Sequence, residues 1–189
     1  AADLVGRKTQ FDGGRAMDAL LADMRDVVVA AQQGSEHLQA NAAKVAKAID
    51  ALEQAKVDLL AKSQEDENYA GSVSYNYMMF MGYVCGAWQM LHGATVAEQR
   101  KSDSTHPFYE QKLATADFYI NNVLPRYLAF AVMQHAGSAS TMALDATPCA
   151  AAHRRGRRCI RCRHGRRGRR CRRGRRGSRG RHGRRGRRC

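Results

Sequence analysis

An all-α antiparallel bundle of the four-helix type is the fold this sequence predicts, and three observations predict it. Apolar residues recur at three- and four-residue steps through four long segments, the period of a helix with one buried face. Glycine, serine and proline fall between those segments, where helix ends want them. No stretch alternates apolar and polar residues for long enough to make a strand.

The first helix follows Asp12-Gly13-Gly14, a turn, and carries Met17, Leu20, Leu21, Met24, Val27, Val28 and Ala31 on a helical period before Gln32-Gln33-Gly34 ends it. The second starts at Ser35, a good N-cap residue. Leu38, Ala42, Val45, Ile49, Leu52 and Leu59 form its stripe, which Lys56 interrupts, and Lys44, Lys47, Asp50, Glu53 and Asp58 fill the other face. From Ser35 to Lys62 it should span roughly 42 Å. Gln64 to Asn68 is a polar linker. The third segment, Tyr69 to Arg100, is apolar nearly all round from Tyr75 to Leu91, which predicts burial on several sides. Gly82 and Gly86 put two bare spots on one of its faces, suited to the close approach of another helix. Lys101 to His106 is a polar loop. Pro107 suits the first turn of the fourth helix, with Thr105 or His106 as its cap. Phe108, Leu113, Ala116, Tyr119, Ile120, Val123, Leu124 and Leu128 follow the period, Pro125 should kink it, and it fades at Ala136-Gly137-Ser138.

Charge divides the 189-residue chain sharply. His153 to Cys189 hold 20 Arg, 8 Gly, 4 Cys and 3 His in 37 residues and no acid, so the first 152 residues carry 12 basic against 17 acidic residues, a net of −5. The basic balance belongs to the tail, and a uniformly basic nucleic-acid-binding domain is excluded. The body is long enough for a real core. Its two cysteines, Cys85 and Cys149, make no disulfide framework. Cys85 reads as a buried small hydrophobe, and a reducing, cytoplasmic compartment fits. No run approaches the ~20 apolar residues of a membrane span. Ala1 to Lys8 lacks the apolar stretch of a secretory signal, and with no initiator Met the sequence reads as one that starts inside a longer protein.

The tail repeats Arg-Arg-Gly, has one aliphatic residue, Ile160, and no aromatic. It cannot build a core and is expected to be disordered. Three functional readings stay open. Cys159-Ile160-Arg161-Cys162 with His164, Cys171, His182 and Cys189 offers zinc-binding atoms, but the later spacings fit no common finger and the arginines oppose a cation, so no metal site is expected. Twenty guanidiniums would bind phosphates without sequence preference. Finally, Arg, Gly, Cys, His and Ser are all reached from GC-rich codons, and the run Cys149-Ala150-Ala151-Ala152 before them fits a GC-rich gene read out of frame.

Chemistry is sparse in the body. Asp12-Gly13-Gly14-Arg15 could cradle a phosphate, but no strand precedes it and it reads more simply as a helix-entry turn. The Tyr75–Met90 cluster could line an acyl or flavin pocket, but large apolar residues on a helix more often make core, with Trp88 shielded inside it. His37, His92, His106 and His135 are widely separated and none pairs in a metal-binding pattern. No catalytic constellation is self-contained, so no catalytic residue is assigned and cofactor-binding residues stay unknown.

Ala2-Asp3-Leu4-Val5-Gly6-Arg7-Lys8 followed by Asp12-Gly13-Gly14-Arg15-Ala16 resembles the start of the final region of bacterial acyl-CoA dehydrogenases, in the enlarged subgroup that includes 3-methylmercaptopropionyl-CoA dehydrogenase. Tyr75 to Val84, Phe108-Tyr109 to Ala116, Phe118-Tyr119, Leu124-Pro125 and Met142-Ala143-Leu144 are similar to that subgroup's extra C-terminal helical domain. The resemblance covers nearly all of residues 1–145. It implies residues 1–34 as the end of the dehydrogenase's C-terminal helical domain, 35–148 as the additional helical domain, and 149–189 as a low-complexity tail. It further implies a FAD-dependent parent enzyme acting on an acyl-CoA, with an electron acceptor and a homo-oligomeric assembly. In that family a glutamate removes the α-proton and the β-hydride passes to FAD. The glutamate lies in a Tyr-Glu-Gly-Thr type segment just upstream of the Ala-x-Asp-Leu-Val-Gly-Arg motif, so this chain is expected to start just after it and to be inactive by itself. The other expectation is of another class: a helical module with a nucleic-acid-binding Arg/Gly tail.

Overall fold

The structure, a computed structural model, describes residues 1–101 and 107–143. The expectations for the tail, for the Thr105 or His106 cap, and for Leu144 lie outside the described residues. Among the described residues six α-helices follow one another: α1 (Arg15–Ala31), α2 (Glu36–Glu65), α3 (Tyr69–Lys101), α4 (Phe108–Phe118), α5 (Tyr127–Gln134) and α6 (Ala139–Met142). A π-helical turn (Leu4–Lys8) and a 3-10 turn (Phe11–Gly14) precede α1. There is no strand among the described residues, so the predicted all-α bundle is the fold.

The element boundaries follow from the local chemistry that marked them. Ser35 caps α2, its hydroxyl accepting the Leu38 N–H at 3.4 Å, and Glu98 of α3 holds the same end by accepting the Ser35 N–H at 3.0 Å. A carboxylate there also answers the positive end of the helix dipole. The turn before α2 needs a glycine for space, because a Cβ on Gly34 would run into Glu98 and come within 2.6 Å of Leu38. Short connections between α1, α2 and α3 run them antiparallel. At the other end, Gly137 with φ +68° stops the chain after α5.

α3 is the axis of the bundle, packed by α1, α2, α4 and α5. Its Tyr77, Phe80, Val84, Ala87 and Leu91 are fully buried. They meet Leu21 and Met24 of α1, the α2 stripe of Val45, Ile49, Leu52 and Leu59, and Ile120 and Leu124, in one hydrophobic cluster. Each such side chain contributes ~1.5–3 kcal/mol on leaving water. Aromatic pairs join α3 to α5: Phe80 stacks on Tyr127 at 5.3 Å, and Phe130 lies against both Tyr83 (5.7 Å) and Tyr75 (6.3 Å). Trp88 and Cys85, expected inside, are half-buried.

Lys56 differs from a simple interruption of the α2 stripe. It is 7% exposed and its ammonium meets the Asp18 carboxylate of α1. Its stem completes the stripe while its charge is neutralised at the rim.

One expectation is refined and one needs correction. The fourth helix is interrupted around Pro125 as expected, and the interruption takes the form of two irregular turns within a continuous helical run. A π-helical turn (Tyr119–Val123) and a 3-10 turn (Leu124–Arg126) separate α4 from α5. Pro125 has no N–H to give to the preceding turn, and the wider turn absorbs the misfit ahead of it, the Leu124 N–H reaching back to the Tyr119 carbonyl. The Gly82/Gly86 pair is not used as a pair. The Tyr119 ring sits so close to Gly86 that an added Cβ would meet its hydroxyl and come within 2.7 Å of Cζ, whereas Gly82 has nothing within 4 Å.

Candidate functional site

Asp12, Gly13 and Gly14 all have positive φ (56°, 65° and 90°), conformations that favour glycine and, next to it, Asp or Asn. The chain therefore turns sharply into α1. Gly14 is buried with Leu60 pressed to 3.2 Å of where a Cβ would be, and the Arg15 guanidinium is bound to the Asp12 carboxylate. This is a packed helix entry, with its one cation engaged.

The histidines are brought to no common place. His37 and Asp117 meet at 2.9 Å at the surface, where the buried Asn41 and the exposed Asn121 also donate to that carboxylate. His135 approaches Asp58 at 3.7 Å. His92 is exposed on α3, and His106 lies outside the described residues. Among the described residues no group of three or more His, Cys, Asp or Glu is placed to hold a metal ion.

A small cavity lies between α2, α3 and α5, lined by Ala55, Asp58, Phe80, Ala131, Gln134 and His135 among others, with a volume of about 150 Å³. Alanines on two facing helices leave the room. Gln134 is buried and donates through Nε2 to the Ala55 carbonyl at 2.9 Å, while its backbone carbonyl accepts the Tyr69 hydroxyl at 3.0 Å. Gln134 thus pins the end of α5 to both long helices, a link no sequence period signals. Ligand pockets run to ~300–1,000 Å³, and this cavity is well below that range.

Burial sets the titration of the interior. It pushes Tyr77 from 10.0 up to about 12. The nearby Thr9 hydroxyl softens that rise, yet neither hydroxyl makes a hydrogen bond of good geometry. Burial also raises Tyr127, Tyr119 and Tyr69, the last with help from the Asp58 charge and against the Gln134 bond. The Cys85 thiol is raised by burial too, the direction opposite to an activated nucleophile. These shifts keep the interior neutral. The Tyr75–Met90 cluster serves as core and core rim.

Residues 20–145 match the family described as acetyl-CoA dehydrogenase C-terminal like, across most of the chain and all of α1 to α6 apart from the first turn of α1. The chain belongs to that family. Membership in the acetyl-CoA dehydrogenase C-terminal-like family carries the acyl-CoA dehydrogenase resemblance read from the α3 core and the later helices into a family-level assignment, that of an oxidoreductase's C-terminal domain, while the opening motif lies ahead of the matched residues. No curated protein matches the chain. Among the described residues no helix is long and apolar enough to cross a membrane.

Proposed function

We propose that the chain is the C-terminal helical part of a FAD-dependent acyl-CoA dehydrogenase, of the enlarged subgroup that includes 3-methylmercaptopropionyl-CoA dehydrogenase, and that its bundle serves packing and subunit contacts. The family match over residues 20–145 carries this reading, together with the opening motif Asp3-Leu4-Val5-Gly6-Arg7-Lys8. Residues 1–34 would be the end of the dehydrogenase's own helical domain and 35–148 the addition. That boundary divides origin and not packing, since α1 shares one core with α2 and α3.

The cavity between α2, α3 and α5, about 150 Å³, is too small for a flavin ring, and the arginine of the Asp12-Gly13-Gly14-Arg15 turn is engaged by Asp12. In this reading the flavin, the acyl-CoA and the electron acceptor are engaged by other parts of a homo-oligomeric, cytoplasmic parent enzyme. The chain incubated with FAD, a panel of acyl-CoAs and a dye acceptor should reduce no dye above a protein-free control. Turnover would overturn the assignment of a packing role.

A second reading is favoured by one observation, the 20 arginines in the last 37 residues. In it the tail binds nucleic acid, with poor discrimination because no aromatic stacks on bases and with steep salt dependence from counterion release. Fluorescence anisotropy on random and defined oligonucleotides should show binding that collapses as salt rises and that is abolished by deleting residues 153–189. A salt-insensitive, sequence-selective complex would overturn non-specific binding.

A further inference from the structure

We draw no further inference here: the strongest candidate, the exposed apolar surface patch that Leu128, Val132 and Met133 form on the outer side of α5, is an unpartnered helix face, and nothing in the structure shows what covers it.

Discussion

α2 and α3 are near twins in length, 30 and 33 residues, and each gives one stripe to the same core. They differ in what surrounds the stripe. α2 surrounds it with charge: Asp50 and Glu53 hold Arg25 of α1 at 3.1 and 2.7 Å, Gln54 donates to Asp58, and Lys56 brings a charge to the stripe itself. α3 has aromatic rings, methionines and glycines around its stripe and no charge before Glu98. The difference teaches that a helix with one solvent-facing side needs only periodicity, which α2 shows plainly. A helix packed on several sides is specified by shape at single positions, and its spacing says little about which neighbour fills which gap.

The sharpest break of the comparison is a cavity in the α3 side. Phe80 is fully buried, stacks on Tyr127 and already borders the cavity of about 150 Å³. Phe80→Ala should cost ~3–5 kcal/mol, because the new void joins one that did not collapse. Charge-reversing the outer face of α2 at Lys47, an exposed position, should cost no more than ~0.5 kcal/mol. Urea denaturation of both variants checks the contrast, and comparable losses would deny that the α3 side is the more shape-specified one.

Tyr77 separates the helices by pH. Its folded-state pKa is about 12 against 10.0, so the unfolded chain ionises first. Its contribution is present below pH 10 and is lost as pH rises from 10 toward 12, up to about 3 kcal/mol at ~1.4 kcal/mol per unit. Tyr77→Phe should flatten part of the alkaline loss of stability. The remainder belongs to Tyr69, Tyr119 and Tyr127, which burial also raises. The hydroxyl has no hydrogen-bond partner of good geometry, so the substitution should cost little at neutral pH. An unchanged alkaline slope would show that the hydroxyl reaches water.

Gly86 and Gly82 sharpen the comparison within α3. Gly86→Leu should destabilise by ~1–3 kcal/mol through the Tyr119 ring. Gly82→Leu should stabilise the monomer by ~0.5–1 kcal/mol through helix propensity alone. Thermal melts of dilute protein should move in opposite directions.

Those two glycines also mark where the sequence stops being legible. The start of α2 could be read to the residue, because Ser35 declares its cap locally, and its stripe repeats through about six turns, whereas its end runs past Lys62 to Glu65, into the expected linker. The break near Pro125 was legible, but its start at Tyr119 was not, since it depends on a ring seated against Gly86, 33 positions earlier. Spacing could not tell Gly82 from Gly86, nor show that Lys56 had found Asp18 on another helix. At the candidate site, the Asp12-Gly13-Gly14 turn was legible because positive φ favours those residue types. Gln134 was not, because a buried amide that donates to the backbone of another helix, with its own backbone carbonyl taken by the Tyr69 hydroxyl, leaves no periodic trace.

The smallest expected effect concerns Lys56. The pair with Asp18 looks like a buried ion pair from one side only: Lys56 is 8% exposed in its side chain and Asp18 is 50% exposed. A pair open to water on the acidic side is screened, and the lysine stem supplies packing whatever its end carries. Lys56→Met keeps the length of the stem, removes the charge from the stripe and lets Asp18 return to water. Its effect should fall within ~0.5 kcal/mol in either direction, as replacing an ion pair by a well-fitting hydrophobe often does. Asp18→Ala leaves the ammonium without its partner and should cost more, about 1 kcal/mol, because the stem must bend to bring the charge to solvent. Equilibrium urea melts resolve the order. If Lys56→Met cost more than ~2 kcal/mol, the charge would be a requirement of the α1–α2 contact, and α2 would join α3 as a helix specified by one position more than by its period.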